Sequence, residues 1–265
     1  MMLNTLQIET YKANGFLILK NLFSLEELIA FKKGLTRFEN LKTEPNVICE
    51  KNESIRSIFA PERQVPIFKD LINDERILKP SEQLVGNDLY LYQYKLNLKE
   101  SFGGKHWEWH QDFPYWYHDD GIKNPDMISV MVLFDDVASY QGPLLMVPKS
   151  HKEGIASFNP KEHLKNSTLL NSLTADLKYT VKNSLVAKSV KQNGIVPFEG
   201  KAGSVLFFHP NVYHASNMNV SPFERSTAII TYNQVLNAPE NESSRPDYIC
   251  YKEVKKLSPF TYRRF

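Results

Sequence analysis

The 265-residue chain is long enough to bury a sizeable core and suits a single domain spanning residues 1–265. Its 32 basic and 30 acidic residues nearly balance, so charge gives no sign of a nucleic-acid or membrane partner. The start has no basic-then-apolar signal pattern, no apolar run could span a bilayer, and Cys49 and Cys250 lie far apart. These features predict a cytoplasmic protein without a disulfide framework.

Helices are predicted mainly in the first third of the chain. Residues 7–14 are typical of a short helix. Ser24 and Glu27 have the spacing of a capping box ahead of a helix with an apolar face. Further helices are predicted at residues 62–69 and 76–85. We expect these helices to brace one sheet of a β-sandwich.

Strict alternation in LYLYQYKLNL, residues 89–98, predicts a strand. One face, beginning with Tyr90, Tyr92 and Tyr94, suits packing under helices. The other face carries polar side chains and suits either a solvated edge or a cavity that meets a ligand or water. Further strands are predicted at residues 15–20, 127–134, 142–148, 195–198, 203–209 and 226–235.

Two segments depart from this strand pattern. Residues 151–194 are polar and lysine-rich, and they are interpreted either as an insertion or lid beside a site or as ordinary solvated surface. The tail after Asn237 is expected to be partly ordered and to help close the site. Many strands, with helices gathered at one end, predict a mainly β fold: a jelly-roll double-stranded β-helix with supporting N-terminal helices.

Three residues are candidate ligands for a metal. His110 and Asp112 lie two apart in KHWEWHQDFPYW and would point the same way on a strand, and His214 would join them from another strand. Iron(II) accepts imidazole nitrogen and carboxylate oxygen together, and three ligands on one face leave the opposite face open. Arg225, eleven residues after His214, could bind the carboxylate of an oxo-acid there or form a surface salt bridge.

The chain resembles the phytanoyl-CoA dioxygenase family of iron(II)/2-oxoglutarate oxygenases, and within it the ectoine hydroxylase branch. The resemblance runs from residues 11–28 to 231–235 and is densest in YQYKLNL, WHQDFPYW, GPLLMVPKSH and the segment from His214 to Arg225. It implies iron(II), 2-oxoglutarate and O2, with succinate and CO2 released. It also implies hydroxylation of an unactivated C–H bond in a small polar metabolite, amino acid or natural-product intermediate.

The resemblance also implies roles for individual residues. Iron would be held by the catalytic ligands His110, Asp112 and His214, 2-oxoglutarate by Arg225, Asn97, Ser129 and Trp107, and substrate by Gln93, Trp116, Met131 and Lys95. Met131 stands where the ectoine branch has a serine, and Pro114 and Tyr115 replace its Glu-Thr pair. A thioether cannot replace a hydroxyl hydrogen bond, so we expect a small-molecule substrate other than ectoine.

Alternatives remain at this level. The same iron chemistry also fits desaturation, cyclisation or epimerisation, and a jelly roll can bind ligands without turnover. A halogenase is disfavoured because that chemistry needs the carboxylate ligand replaced, and Asp112 is present. The protein is expected to be a monomer or homodimer. The other five histidines, at positions 106, 118, 151, 163 and 209, are expected to be structural.

Overall fold

The computed structural model describes residues 1–50, 52–159 and 177–260. The middle of the predicted insertion, including His163, therefore lies outside the described residues. The helices are α1 (Thr5–Asn14), α2 (Leu25–Leu35), α3 (Pro66–Asn73), α4 (Glu75–Val85), α5 (Phe113–Asp120) and α6 (Asn183–Asn193). The strands are β1 (Phe16–Leu19), β2 (Val47–Cys49), β3 (Ile55–Phe59), β4 (Leu89–Lys99), β5 (Trp107–His110), β6 (Met127–Leu133), β7 (Leu144–Met146), β8 (Phe158–Asn159), β9 (Thr180–Val181), β10 (Val196–Pro197), β11 (Val205–Phe208), β12 (His214–Ser216) and β13 (Arg225–Gln234).

The strands form two antiparallel sheets. The larger sheet has seven strands in the order β1-β11-β6-β13-β4-β3-β2, and the smaller has six in the order β10-β7-β12-β5-β9-β8. Most neighbours are remote in sequence, as in a jelly roll where successive strands alternate between sheets. The predicted mainly β fold with N-terminal helices is confirmed. Within the described residues, no helix is both long and apolar enough to cross a membrane.

The N-terminal helices cover one face of the larger sheet. The predicted capping box of α2 is present, because the Ser24 backbone N–H donates to Glu27 Oε2 at 2.8 Å and the Glu27 N–H donates to Ser24 Oγ at 3.4 Å. Phe31 of α2 and Phe68 of α3 stack on Phe134 with ring centroids 5.1 and 6.3 Å away. This packing leaves the opposite face of the sheet free to line a cavity.

A bulge in β4 changes the predicted faces of this strand. Thr231 of β13 pairs with Gln93 and Tyr232 pairs with Leu91, so Tyr92 has no opposite residue. Leu91 consequently joins the core under the helices, whereas Tyr90 and Tyr92 pack in a separate aromatic cluster with α5. The expectation that Tyr90, Tyr92 and Tyr94 share one face was therefore wrong.

Other boundaries also differ from the prediction. The helix expected at residues 62–69 is instead a short 3-10 turn, Pro61–Arg63, followed by α3 from Pro66. Pro66 occupies the first turn, where proline's missing N–H costs nothing. The hairpin of β2 and β3 was not predicted. It extends the larger sheet beyond β4 and brings Ser57 opposite Asn97.

The described ends of the predicted insertion are ordered parts of the smaller sheet. β8 pairs with β9, and Thr180 of β9 lies opposite His110. α6 follows directly, with Val186 buried. Residues on both sides of the undescribed stretch therefore belong to the wall beside His110, while the lid role of residues 151–194 stays a prediction.

Candidate active site

The predicted metal ligands converge at the mouth between the sheets. His110 at the end of β5 and His214 at the start of β12 are direct cross-strand partners, with ring centroids 4.0 Å apart. Asp112 Oδ1 lies 3.9 Å from His110 Nε2 and 3.7 Å from His214 Nε2. One ligand atom from each residue fits within 4.8 Å of the others, a spacing suited to a single ion.

The two histidines are held in the tautomer that a metal requires. His110 Nδ1 lies 2.7 Å from the Glu108 carbonyl, and His214 Nδ1 lies 2.9 Å from the Val212 carbonyl. A carbonyl only accepts hydrogen bonds, so each Nδ1 carries the proton and each Nε2 keeps its lone pair for a metal. Both rings are thus oriented by the backbone of their own segments.

The shifted pKa values of His110 and Asp112 favour a neutral imidazole and an ionised carboxylate, the forms that bind a metal. Burial, then repulsion from His214, lowers the pKa of His110 to about 3, so its ring is neutral at pH 7. Burial alone would raise the pKa of Asp112, but His214, Lys95 and His110 outweigh burial and lower it. Two imidazoles and one carboxylate, with an open face, are the donor set of non-haem iron(II) sites.

Asp112 reaches the site from a different element than predicted. β5 ends at His110, and Asp112 has αR backbone angles (φ −76°, ψ −36°) as the residue preceding α5. Its N–H donates to the Pro210 carbonyl at 3.1 Å, which ties it to the loop before His214. The expectation that His110 and Asp112 lie on one strand was wrong, although their carboxylate and imidazole still meet.

Arg225 is the buried cation beside this trio. It begins β13, is 4% exposed, and donates from Nη1 to the Gly142 carbonyl. Its Nε has no hydrogen-bond partner, and no carboxylate in the described part of the chain forms an ion pair with it. Burial lowers its pKa to about 10, with Asp135 acting in the opposite direction, so it remains charged at pH 7. A buried guanidinium without a carboxylate in ion-pair contact favours an anionic ligand.

Lys99 is a second buried cation, which the sequence analysis did not identify. It lies opposite Arg225 in the sheet and is 3% exposed. Its Nζ donates to Ser216 Oγ at 3.0 Å and to the Asn217 carbonyl. Burial, followed by repulsion from Arg225, lowers its pKa to about 6. The alternation through Gln93 and the next polar residues already placed Lys99 on this face, but the predicted strand stopped one residue short of it.

One cavity joins the trio to Arg225. It lies on the inner face of the larger sheet and against β12, and it is lined by Lys95, Asn97, Trp107, His110, Asp112, Met131, Leu144, Phe208, His214, Ser216, Arg225 and Ile229. The predicted 2-oxoglutarate residues Asn97 and Trp107 are both in its wall. Asn97 Oδ1 accepts from Ser57 Oγ at 2.9 Å. Ser129 lies on the same sheet face, where its hydroxyl pairs with that of Thr231 at 3.0 Å, and it is not a lining residue.

An adjoining cleft opens on the other side of His110 and Asp112. It is lined by Ser57, Phe59, Gln93, Lys95, Asn97, Trp107, His110, Asp112, Tyr115, Trp116, Leu177, Arg245 and Ile249. The predicted substrate residues Gln93, Lys95 and Trp116 are among them, whereas Met131 lies on the Arg225 side instead. Arg245 and Ile249 belong to the C-terminal tail, as expected for a tail that helps to close the site.

The comparisons with known proteins point the same way. The family model described as phytanoyl-CoA dioxygenase matches residues 11–227. The chain is 34% identical over 263 residues to an ectoine dioxygenase of Bordetella bronchiseptica, covering 94% of this chain and 83% of that protein. It is 30% identical over 253 residues to an L-proline trans-4-hydroxylase of Streptomyces griseoviridis, covering 94% of this chain and 93% of that protein.

Solved structures agree with the fold. The crystal structure of EctD from S. alaskensis with bound Fe has a TM-score of 0.83 and 26% identity, covering 98% of this chain and 88% of that one. The structure of the same protein with 2-oxoglutarate and 5-hydroxyectoine has a TM-score of 0.81 and 25% identity over the same shares. The jelly roll is therefore shared across nearly the whole chain.

Proposed function

The chain belongs to the phytanoyl-CoA dioxygenase family and is an iron(II)- and 2-oxoglutarate-dependent dioxygenase, and we propose that it hydroxylates an unactivated C–H bond of a small polar molecule. The observation that carries this proposal is one cavity that holds both the His110, Asp112 and His214 trio and the buried cation Arg225. The trio fits iron(II), and the cation fits the distal carboxylate of 2-oxoglutarate.

Iron(II), with 2-oxoglutarate as cosubstrate, supplies activation of O2 and yields succinate and CO2. The residues of the chain bind and orient the ion and 2-oxoglutarate, and they shield both from bulk water. His110, Asp112 and His214 would hold the ion. Arg225 pairs with the distal carboxylate through its planar fork. Asn97 and Trp107 wall the same cavity.

The adjoining cleft is the proposed substrate site. Lys95 lines it, and its charge also acts on the Asp112 carboxylate; a cation in the cleft wall favours a substrate that carries a carboxylate, such as an amino acid. Trp116 supplies an apolar wall and packs edge-to-face on Tyr92 at 5.4 Å. Tyr115, where the ectoine branch has a different residue, also lines this cleft and supports a substrate other than ectoine.

We also propose that residues 1–265 form a single domain. Both cysteines are free, Cys49 partly buried and Cys250 buried, which supports the cytoplasmic location inferred from their number. A monomer or homodimer remains the expected assembly.

The test is a substrate screen read by mass spectrometry, with iron(II), 2-oxoglutarate and O2 present. Hydroxylation adds one oxygen atom to the product, desaturation or cyclisation removes two hydrogens, and epimerisation leaves the mass unchanged. We expect substrate-stimulated succinate formation that is lost in His110→Ala, Asp112→Ala and His214→Ala, and kept in His106→Ala, whose ring is exposed on the same segment. No succinate formation with any candidate would favour a binding protein instead, whereas succinate formation that does not require iron would contradict the metal assignment.

A further inference from the structure

The C-terminal segment, residues 243–251, forms one wall of the substrate cleft. Arg245 and Ile249 line the cleft directly. The segment is attached to β4 at two points: Gln93 Nε2 donates to the Ile249 carbonyl at 2.8 Å, and the Tyr251 N–H donates to the Tyr92 carbonyl at 2.9 Å. This wall is therefore built from residues more than 130 positions beyond His110 and Asp112.

A buried ion pair fixes the start of the segment. Asp120 ends α5 and its side chain has no exposed surface. Arg245 Nε donates to Asp120 Oδ1 at 2.7 Å while Nη2 contacts Oδ2, so the guanidinium meets the carboxylate with both arms. Ser243 Oγ donates to Oδ1 at 2.6 Å, and Tyr92 OH donates to Oδ2. Every oxygen of the carboxylate is used, which makes this contact directional as well as strong.

The same helix connects this pair to the metal site. α5 begins one residue after Asp112 and ends at Asp120, and its eight residues span about 12 Å at 1.5 Å per residue. Trp116, in the middle of α5, faces the cleft that Arg245 closes. The wall is thus positioned relative to the iron ligand by one short rigid element.

We propose that Asp120 and Arg245 are positioning residues that hold the C-terminal segment over the substrate cleft. Their ion pair keeps Arg245 and Ile249 in place, so that these two side chains limit the size of the substrate and keep bulk water away from the iron ligands. The assignment of this cleft to the substrate rests on the proposed function. The attachment of the segment does not, because it follows from contacts within the chain.

Cys250 provides a local probe of this attachment. It is 2% exposed and its Sγ lies 3.6 Å from Tyr92 OH, beside the ion pair. In a Cys49→Ser background it is the chain's single thiol, and its alkylation by iodoacetamide can be followed by mass on the anaerobic protein with iron(II) and 2-oxoglutarate bound. We expect Arg245→Gln and Asp120→Asn each to accelerate alkylation at least about tenfold, about 1.4 kcal/mol of local opening.

Two further variants and a binding measurement test whether faster alkylation comes from loss of the Asp120–Arg245 contact. The other possible causes are the loss of any charge in the tail and destabilisation of the whole fold. Lys252→Gln removes an exposed ion pair with Glu242 in the same tail and should leave the alkylation rate unchanged. Arg245→Lys should restore only part of the protection, because an ammonium cannot form the two-armed contact. Binding of iron and of 2-oxoglutarate, measured by calorimetry, should stay within about twofold of the parent in Arg245→Gln, while succinate formation without substrate should rise.

Unchanged alkylation in both Arg245→Gln and Asp120→Asn would overturn the proposal. The proposal would also be overturned if iron and 2-oxoglutarate affinity fell by the same factor by which alkylation became faster. The pair would then stabilise the whole fold rather than the wall. If no succinate forms in the parent, the proposed function fails while the thiol result still decides whether the ion pair holds the segment.

Discussion

Replacing Lys99 with Met should change how stability depends on pH. Lys99 is buried, and burial together with the charge of Arg225 lowers its pKa from 10.5 to about 6. Between pH 7 and pH 9 the folded protein therefore holds Lys99 mostly neutral, whereas the unfolded chain holds it protonated. The unfolded state binds one more proton, so this lysine lowers stability progressively as the pH falls from about 10.5 toward about 6. Met has a side chain of similar length to that of Lys and carries no titratable proton.

The size of the effect follows from the proton count. A difference of one bound proton is worth about 1.4 kcal/mol per pH unit. From pH 7 to pH 9 the parent should gain about 2.7 kcal/mol that Lys99→Met does not gain. For a chain of this size, 1 kcal/mol corresponds to about 2–4 °C, so the gap between the two melting temperatures should change by about 5–11 °C.

The assay is thermal unfolding of the metal-free proteins at pH 7, 8 and 9 without 2-oxoglutarate. Other groups that titrate in this range are present in both proteins and cancel in the difference. Lys188→Met, at an exposed position of α6, is the matched control and should follow the parent at every pH. Melting temperatures of parent and Lys99→Met that change in parallel would show that Lys99 is charged in the folded protein, and the electrostatic reasoning would be refuted.

Two other predictions concern the cosubstrate and the insertion. Arg225→Ala should weaken 2-oxoglutarate binding by at least about 30-fold, from a cost of about 2–5 kcal/mol for one lost partner of a desolvated charge pair, with much less effect on iron. Arg225→Lys should recover part of the loss, and parent-like calorimetry of Arg225→Ala would mean that the anchor lies elsewhere. Trypsin cleavage within residues 151–194 should slow when iron, 2-oxoglutarate and substrate are bound together; equal rates with and without these ligands would leave the segment as ordinary surface.

Local sequence patterns predicted much of the architecture because the physics behind them is local. Ser24 and Glu27 form the expected capping box, since the reciprocal bonds need only a spacing of three residues. The alternation through β4 predicted a strand with Gln93, Lys95 and Asn97 on one face, and all three line the cleft. Residue types and spacing likewise identified a metal trio that the fold does assemble.

The errors arose where one residue changes the local geometry. Nothing in an alternating pattern marks the bulge at Tyr92, which turns this ring toward α5. Pro66 and Pro114 each lie in the first turn of a helix, a position that favours proline, and this signal could have corrected both the start of α3 and the strand assigned to Asp112.

The sequence alone could not predict contacts between charged side chains and residues far away along the chain. Which lysine of the chain is buried depends on the strand that lies opposite it, and Lys99 meets Ser216 across 117 positions. Arg245 meets Asp120 across 125 positions. Both contacts are decided by the closing of the sheets. Alternation along β4 places Lys99 on the inner face, but residue type and spacing could not predict which residue either side chain contacts.

The order of strands in the larger sheet also sets a schedule for the chain as it is synthesised. β1 pairs with β11, in the register that places Leu19 opposite Val205, 186 positions later. At about 5–20 residues per second, the first strand waits roughly 10–40 s for its partner to be made. During that time its apolar FLIL sequence is an unpaired edge. The helices on either side of it, α1 and α2, are complete much earlier, and we expect them to cover it on the ribosome.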